Sequence, residues 1–384
     1  MYTRKHNRVL VRDQMSRREF LRAIGLGAGA AGVSLLLPSC APATPTPTAE
    51  PEAEAEGPAI EPGAGVVDTS AYRKDPPWRI ARSGMGEVNS WQAIATLHFD
   101  YYVREKYKDL FSEVYTTSAF FDPAQQVADM EDLLSQEPDI MIVQPVTGGN
   151  IVAQIEQAMD SGIPVILVGA RAYTDKYVSY HDRDNPGVGR IYAEYIANKI
   201  GGQGKVAIMM GLAGNTYAED VLRGVREGLA LFPDIEEVGL GYGAWSPVEG
   251  KTAMEGLLAS ADRIDGIIND GGNMGIGIVD AYLDAGLPIP PMCGDDGNGW
   301  LRKAKEHGVT FLAVQGGAEQ YADAVEFAVK TMRGEPVAKN VLAEIITFDE
   351  TQLDEYYRPD LNDQYWAINK LPEEVILEHY KLEE

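Results

Sequence analysis

The sequence predicts an α/β protein with two domains, each built on a parallel sheet covered by helices. Short β-rich runs alternate with segments of helical period, and about ten such units follow one another along the 384 residues. Alternation of this kind is typical of parallel sheets with helices on both faces. Ten units exceed what one sheet comfortably holds, so two domains are expected rather than one.

The individual elements follow from local patterns. Asp122-Pro123 supplies a helix N-cap with proline at the first helical position, and apolar residues then recur at helical spacing. A second helix, predicted over 188–200, ends at a glycine pair. The predicted strands are 79–82, 113–117, 139–143, 164–168, 206–210, 237–240, 266–268, 292–294 and 310–314. The final segment, 348–384, leaves this pattern, and its aromatic side chains are expected to pack against the domains.

Composition excludes several classes of protein. The formal net charge of −25 disfavours a general nucleic-acid binder, because polyanions would be repelled. No apolar run reaches the roughly 18 residues of a membrane-spanning helix, which excludes a multi-pass membrane protein. Two cysteines cannot form a disulfide framework or a cysteine zinc cluster, and the five histidines show no metal-ligand spacing. No cofactor, metal or catalytic residue is therefore expected.

The first 40 residues are interpreted as an export signal. Arg17 and Arg18 stand before Phe20 and a 15-residue apolar stretch, an order that resembles a twin-arginine signal. The sequence Leu-Pro-Ser-Cys that follows resembles a bacterial lipobox, which would make Cys40 the lipidated first residue of the processed protein. The alternative, a soluble helix, is weaker because four glycines would each destabilise it by about 1 kcal/mol.

A spacer is predicted from 41 to 77, since its Pro/Thr/Glu/Ala-rich start cannot bury a core. A lipid at Cys40 followed by such a spacer implies a folded domain held at the outer face of a membrane. Cys293 would then remain as the single thiol, and we expect it to be buried.

Nearly every predicted strand runs into a loop with amide, carboxylate or aromatic groups. Ligands of open α/β sheets bind beyond the carboxyl ends of the strands, so these loops are candidate binding loops. Turn-forming residues alone would explain much of the pattern, but tryptophan is a poor turn residue and two tryptophans occur in these loops. The candidates are Asn89, Ser90, Trp91, Arg171, Asn215, Tyr217, Tyr242, Trp245, Asn269, Asp270, Asn273, Asp295, Asp296, Asn298 and Gln315.

Five segments resemble the sugar-type periplasmic binding proteins of the ribose-binding-protein class. The resemblance covers roughly 78–347 and rests on order and spacing. It is carried by DIMIVQP at 139–145, SGIPVI at 161–166, DNPGVG at 184–189, GDDG at 294–297 and GEP at 334–336.

This resemblance implies two similar doubly wound parallel-sheet lobes, joined by three hinge crossings and closing on a ligand. The first lobe would comprise 78–185 and 316–344, and the second 186–315 and 345–384 with the tail. Hinges are expected near Asn185, Gln315 and 343–345. The ligand-binding residues would be Asn89, Ser90, Trp91, Arg171, Tyr217, Trp245, Asn269, Asp270, Asp296 and Gln315.

Within that set, the family's pattern implies a stacking role for Trp245 and hydroxyl-binding roles for Asp296 and Gln315. The sequence also departs from the pattern. Gly169-Ala170 stand where the family often has Asp-Arg, and Val221 replaces an arginine ahead of a helix glycine. These departures leave the identity of the sugar open, and they also leave open whether the ligand is a sugar.

Two functions remain as hypotheses. The preferred one is a monomeric solute receptor that is anchored outside the cytoplasm, captures a small polar ligand such as a monosaccharide, and delivers it to an ABC transporter permease. The rival is an exported NAD(P)-dependent oxidoreductase acting on a sugar, based on the GLGYGA sequence at 239–244, which fits G-x-G-x-x-[GA] after a strand. A cytoplasmic repressor of the same fold is disfavoured by the export signal and by the absence of a basic helix-turn-helix segment.

Overall fold

The computed structural model describes residues 65–383. Its strands are β1 (Val66–Val67), β2 (Trp78–Gly84), β3 (Phe111–Ser118), β4 (Ile140–Val143), β5 (Val165–Val168), β6 (Ser179–Arg183), β7 (Gln203–Met210), β8 (Asp234–Tyr242), β9 (Gly266–Asn269), β10 (Met292–Gly294), β11 (Phe311–Val314), β12 (Val337–Ala338), β13 (Asn340–Ala343) and β14 (Thr347–Asp349). Its α-helices are α1 (Ser90–Tyr101), α2 (Pro123–Ser135), α3 (Val152–Asp160), α4 (Asn185–Lys199), α5 (Thr216–Leu229), α6 (Pro247–Ser260), α7 (Gly272–Ala285), α8 (Asn298–His307), α9 (Gln320–Met332), α10 (Leu353–Tyr356) and α11 (Glu373–Tyr380).

The strands form two six-stranded sheets, one in each lobe. The order in the N-terminal lobe is β13-β6-β5-β4-β2-β3, and every pair is parallel. The order in the C-terminal lobe is β14-β11-β10-β9-β7-β8, where only the edge strand β14 is antiparallel. Helices cover both faces of each sheet, and the interior strands β4, β5, β9 and β10 are buried at every residue. The predicted α/β class with two similar doubly wound lobes is confirmed.

The chain passes between the lobes three times. It leaves the N-terminal lobe between β6 and α4, returns between β11 and α9, and leaves again between β13 and β14. These crossings coincide with the positions expected near Asn185, Gln315 and 343–345. All nine predicted strands are present.

Strand β6 was not predicted, and its composition gives the reason. Four of its five residues are polar, namely Ser179, His181, Asp182 and Arg183, yet all are buried. A strand in the interior of a parallel sheet normally reads as an apolar run, so this one does not match the pattern.

Two boundaries differ from the sequence predictions. The spacer was expected to extend to residue 77, but β1 already pairs with β12 at residues 66–67. The tail was assigned to the C-terminal lobe, yet Leu361, Tyr365, Leu371 and Tyr380 are buried in the core of the N-terminal lobe. Earlier tail residues, including Leu353, pack against the C-terminal lobe, so the tail spans both.

The predicted signal and the lipidation residue Cys40 lie outside the described residues. Among the residues that the structure does describe, no helix is long and apolar enough to cross a membrane.

Candidate functional site

A cavity lies between the lobes, where the carboxyl ends of both sheets face each other. It contains about 680 Å³ of space between protein atoms, a figure that includes the solvent of its open mouth. Both lobes and the tail contribute its walls. Polar and aromatic lining residues are Asn89, Trp91, Gln92, Gln144, Asp182, Arg183, Tyr192, Asn215, Tyr217, Trp245, Asp270, Asn273, Asp295, Gln315, Gln320 and Trp366.

Trp245 forms an aromatic wall from the C-terminal lobe. Its ring fits against Gly211 and Gly271, where an added Cβ would approach it to 1.8 Å and 2.8 Å. Its backbone is left-handed, with φ of 48°, a conformation that non-glycine residues adopt at a cost of about 1–2 kcal/mol. The ring also lies 6.0 Å from those of Phe121 and Tyr217. The close approach of backbone and indole fixes the orientation of this wall.

Trp91 forms a second aromatic wall of the cavity, from the N-terminal lobe. Helix α1 begins there because the Asn89 side chain accepts a hydrogen bond from the Gln92 backbone, an N-cap interaction. The first turn of α1 therefore carries Trp91 into the cleft. Its Nε1 donates to the Gly316 carbonyl oxygen at 2.7 Å, so the apolar ring faces remain available to a ligand.

Arg183 lies at the first crossing and contributes a buried positive charge. Its guanidinium carbon lies 5.5 Å from the Tyr217 ring centroid, and its Nε has no protein partner. The neighbouring Asp182 accepts bonds from Tyr180, Asn185 and the Arg183 backbone, so both of its oxygens already have protein donors.

Two carboxyl groups of the C-terminal lobe face the cavity. One oxygen of Asp270 accepts from the Gly211 N–H, while Oδ1 is buried without a partner; burial raises the pKa of this carboxyl to about 7. Asp295 accepts from the backbone N–H groups of Gly272 and Gly297, and burial raises the pKa of Asp295 to about 6. Asp270 is thus the carboxylate with capacity left for a ligand.

Five lining side chains hold buried polar atoms without a protein partner. These atoms are Nε of Arg183, Oδ1 of Asp270 and the Oε1 atoms of Gln92, Gln315 and Gln320. Buried polar groups are normally hydrogen-bonded, and leaving one unpaired costs about 1–3 kcal/mol. Their convergence on one cavity between aromatic walls fits a ligand with several hydroxyl groups and an apolar face.

Outside the cavity, the lobes are joined by a group that we call the charged contact: Arg171, Tyr173, Glu219 and Asp220. Arg171 Nε and a terminal nitrogen donate to the two Asp220 oxygens at 2.9 and 3.1 Å. Tyr173 donates to Glu219 at 2.9 Å. The side chains of Arg171 and Asp220 are only 8% and 10% exposed. A second group, the tail contact, consists of Ser90, Asn273, Gly316 and Trp366, and the Ser90 hydroxyl accepts from both Asn273 and Trp366.

Six of the ten residues predicted to bind ligand line the cavity: Asn89, Trp91, Tyr217, Trp245, Asp270 and Gln315. The other four do not line it. Ser90 lies behind the wall in the tail contact, and Arg171 belongs to the charged contact. Asn269 binds the backbone of Gly271 and Cys293.

Asp296, expected to bind hydroxyl groups, is wholly buried by the protein. Its oxygens accept from the Gly316 and Ile368 backbone N–H groups at 2.6 and 2.7 Å. The carboxylate next to it, Asp295, faces the cavity instead. Neighbouring side chains of an extended chain point in opposite directions, so a shift of one residue exchanges the buried carboxylate for the one that faces the cavity.

Sequence reasoning missed Arg183, Gln320 and Trp366. Arg183 lies in the unpredicted strand β6, although its place just before the expected crossing at Asn185 was a usable signal. Trp366 was expected only to pack against the lobes; it does so and also lines the cavity.

The glycine motif at 239–244 has a packing explanation. Gly239 and Gly241 lie within β8, where a Cβ would meet Leu257 and Met209 at 2.5 and 2.8 Å. In a dinucleotide fold the glycines form the turn between strand and helix, which is not their position here. The oxidoreductase hypothesis loses its main support.

Two α/β lobes joined by three crossings around a ligand-sized cleft define a two-lobed binding protein. Residues 89–336 match the periplasmic binding protein domain family, and the chain belongs to that family. Membership implies a location outside the cytoplasm, and the homologues are solute-binding proteins rather than enzymes.

Curated relatives agree with this assignment. The xylitol-binding protein of Mycolicibacterium smegmatis is 26% identical over 227 residues, which cover 59% of this chain and 65%, just under two thirds, of that protein. The ribose import binding protein of Escherichia coli is 26% identical over 56% of this chain and 73% of its own length.

Solved structures share the fold. A Mycobacterium smegmatis protein in complex with β-D-fucofuranose superposes with a TM-score of 0.67 at 21% identity, covering 72% of this chain and 92% of that one. An ABC transporter solute-binding protein from Bacillus halodurans with bound myo-inositol gives 0.67 at 23% identity, covering 73% and 98%.

Proposed function

We propose that this chain is the substrate-binding lipoprotein of an ABC importer and that it captures a monosaccharide between its lobes. The observation that carries the proposal is the cavity itself, where buried unpartnered acceptors converge between tryptophan walls. A sugar ring offers an apolar face to an indole and vicinal hydroxyl donors to Asp270 and the glutamines. Two curated relatives are named for binding xylitol and ribose, which supports a sugar or a related polyol as the ligand.

A thermal-shift screen against pentoses, hexoses, deoxy sugars and polyols tests this proposal. A ligand at a hundred times its Kd stabilises the fold by about 2.7 kcal/mol, which is readily measured. Asp270→Asn should weaken binding of the best probe at least tenfold, since hydrogen bonds to a charged group contribute about 1.5–3 kcal/mol. Asp280→Asn, which alters a surface carboxylate paired with Lys303, is the matched control. Failure of every sugar and polyol to shift the melting temperature, or bound nicotinamide in purified protein, would reject the proposal.

The proposal includes export as a folded lipoprotein. Its support is the order of Arg17-Arg18, the apolar stretch and Cys40 in the sequence. Cys40→Ala should release the protein from the membrane fraction. Retention of that variant on membranes would show that the lipobox interpretation is wrong.

Ligand capture is proposed to close the lobes by rotation at the three crossings. Small-angle scattering should show a smaller radius of gyration with saturating ligand than without it. Identical curves would contradict closure.

A further inference from the structure

The C-terminal segment beyond the family domain is attached to the cleft. The family domain ends at residue 336, and the segment from about 350 to 383 lies after it. Asn298, at the start of α8, donates its backbone N–H to the Tyr365 carbonyl oxygen at 2.8 Å and its side-chain N–H to that of Leu361 at 3.0 Å. These bonds bring the segment to the cavity edge of the C-terminal lobe.

Asp296 binds two further residues of the segment, Ala367 and Ile368. Its side chain accepts hydrogen bonds from the backbone N–H groups of Gly316 and Ile368. Its backbone carbonyl oxygen accepts one from the N–H of Ala367 at 3.1 Å. One carboxylate therefore joins the second crossing to the tail. The carboxylate that the family resemblance implied for ligand binding holds the tail instead.

The indole ring of Trp366 packs closely against Gly316 and Gly297. A Cβ on Gly316 would lie 2.2 Å from its ring, and one on Gly297 would lie 3.3 Å from it. Its Nε1 donates to the Ser90 Oγ at 3.1 Å, and the residue is 3% exposed. Trp91 Nε1 is similarly occupied by Gly316, so both indoles present only apolar ring surface to the cavity.

We propose that Trp366 is a specificity-determining residue that closes the Gly316 end of the cleft and restricts the ligand to a single ring or short polyol. This inference rests on the proposed function and deepens it. A second sugar unit on that side would have to occupy the volume of the indole. The tail thus contributes a wall of the binding site.

Calorimetry on four proteins tests the proposal: wild type, Trp366→Ala, Trp366→Phe and the control Tyr357→Ala. Tyr357 lies on the same segment but over Arg302 and Lys305, away from the cavity. The probes are D-ribose, xylitol, D-fucose and myo-inositol against maltose, cellobiose and lactose. Trp366→Ala should bind the best single-ring or polyol probe about tenfold more weakly and gain measurable binding of a disaccharide. Tyr357→Ala should match wild type in both respects.

Gain of disaccharide binding separates a specificity role from a purely structural one, which would not create it. A folded Trp366→Ala that keeps both the affinity and the exclusion of disaccharides overturns the proposal. If that variant does not fold, the test is made with Trp366→Phe. An affinity of Trp366→Phe equal to that of wild type then overturns the proposal.

If wild type binds none of the probes, the proposed function is what fails. The position of Trp366 is then tested without ligand by acrylamide quenching of the remaining tryptophans. Greater quenching in Trp366→Ala supports a closed wall, because Trp91 would become accessible. Equal quenching overturns it.

Discussion

The charged contact and the tail contact join the same two lobes by different chemistry. The charged contact pairs Arg171 with Asp220 outside the cavity, so it can form whether or not a ligand is present. The tail contact links Ser90 to Asn273 and Trp366 through neutral hydrogen bonds, and three of its four members line the cavity. We therefore expect the charged contact to affect how readily the lobes close, and the tail contact to affect which ligand fits.

The largest effect is expected at the charged contact. Asp220→Asn leaves the Arg171 guanidinium without its carboxylate, and removing one partner of a buried pair costs about 3 kcal/mol or more. Opening the lobes to water avoids that cost, so the radius of gyration of the ligand-free protein should increase. Ligand affinity should fall by up to about a hundredfold, because binding must again close the lobes.

Small-angle scattering and calorimetry check this expectation. Arg226→Gln is a suitable control, since Arg226 pairs with Glu237 on the exposed surface of the same helix region. An unchanged scattering curve for Asp220→Asn would mean that the charged contact does not hold the lobes together.

At the tail contact, Asp296→Ala should reduce the free energy of unfolding by about 2 kcal/mol, because two buried backbone N–H groups lose their acceptor. The melting temperature of the ligand-free protein should therefore fall, with weaker ligand binding as a consequence of a displaced Trp366. Asp363→Ala, an exposed carboxylate of the same segment, is the control. A normal melting temperature with lost affinity would return Asp296 to the role of a direct ligand-binding residue.

The free energy of unfolding should depend on pH through three buried aspartates in or next to the cavity. Burial raises the pKa of Asp296 to about 7, as it does for Asp270, and that of Asp295 to about 6. At these three carboxyls the folded state therefore holds more protons than the unfolded state between pH 4 and pH 7, and their contribution to stability falls as pH rises through that window. Burial lowers the pKa of His98 to about 4 and that of His181 to about 3, which opposes this trend below pH 6.5 without matching it in size. The melting temperature should be a few degrees higher at pH 5 than at pH 8.

Scanning calorimetry over that pH range measures this directly. Asp295→Asn removes one of the raised groups and should flatten the slope. A melting temperature that rises from pH 5 to pH 8 would contradict the assignment.

The smallest effect is expected at Ser90. Ser90→Ala removes the acceptor of Trp366 Nε1, a net contribution of about 1 kcal/mol, so ligand affinity should fall no more than about fivefold. Ser135→Ala, at an exposed helix end, serves for comparison. A loss as large as that of Trp366→Ala would mean that Ser90 itself binds the ligand.

The parts of the fold that could be predicted are those whose sequence pattern lies within the element itself. The apolar strands and the three crossings followed from periodicity and family spacing, since burial between helices dictates composition. Strand β6 did not, because four of its five side chains are polar; the partner of Ser179, for example, is the Ala338 carbonyl oxygen far along the chain. Arg183 was missed with it.

The site shows the same limit. Asn89 and Trp91 were predicted because a helix start follows a strand end in the sequence itself. Arg171 and Asp296 were assigned to the ligand by position, but their partners, Asp220 and Ile368, are brought near them only by the tertiary fold. No local pattern distinguishes a carboxylate that binds a ligand from one that binds a distant backbone.

The path of the chain also decides the order in which the lobes can be completed during synthesis. The C-terminal lobe uses the continuous stretch from α4 to β11 for its helices and for five of its six strands, and it lacks the edge strand β14 and the first part of the tail. The N-terminal lobe begins before it but needs α9, β13 and the buried tail, which are translated after the C-terminal lobe. Strand β6, with its buried polar side chains, has no neighbour on one side until residues 340–343 are made. We therefore expect the lobe whose translation begins earlier to complete its folding later.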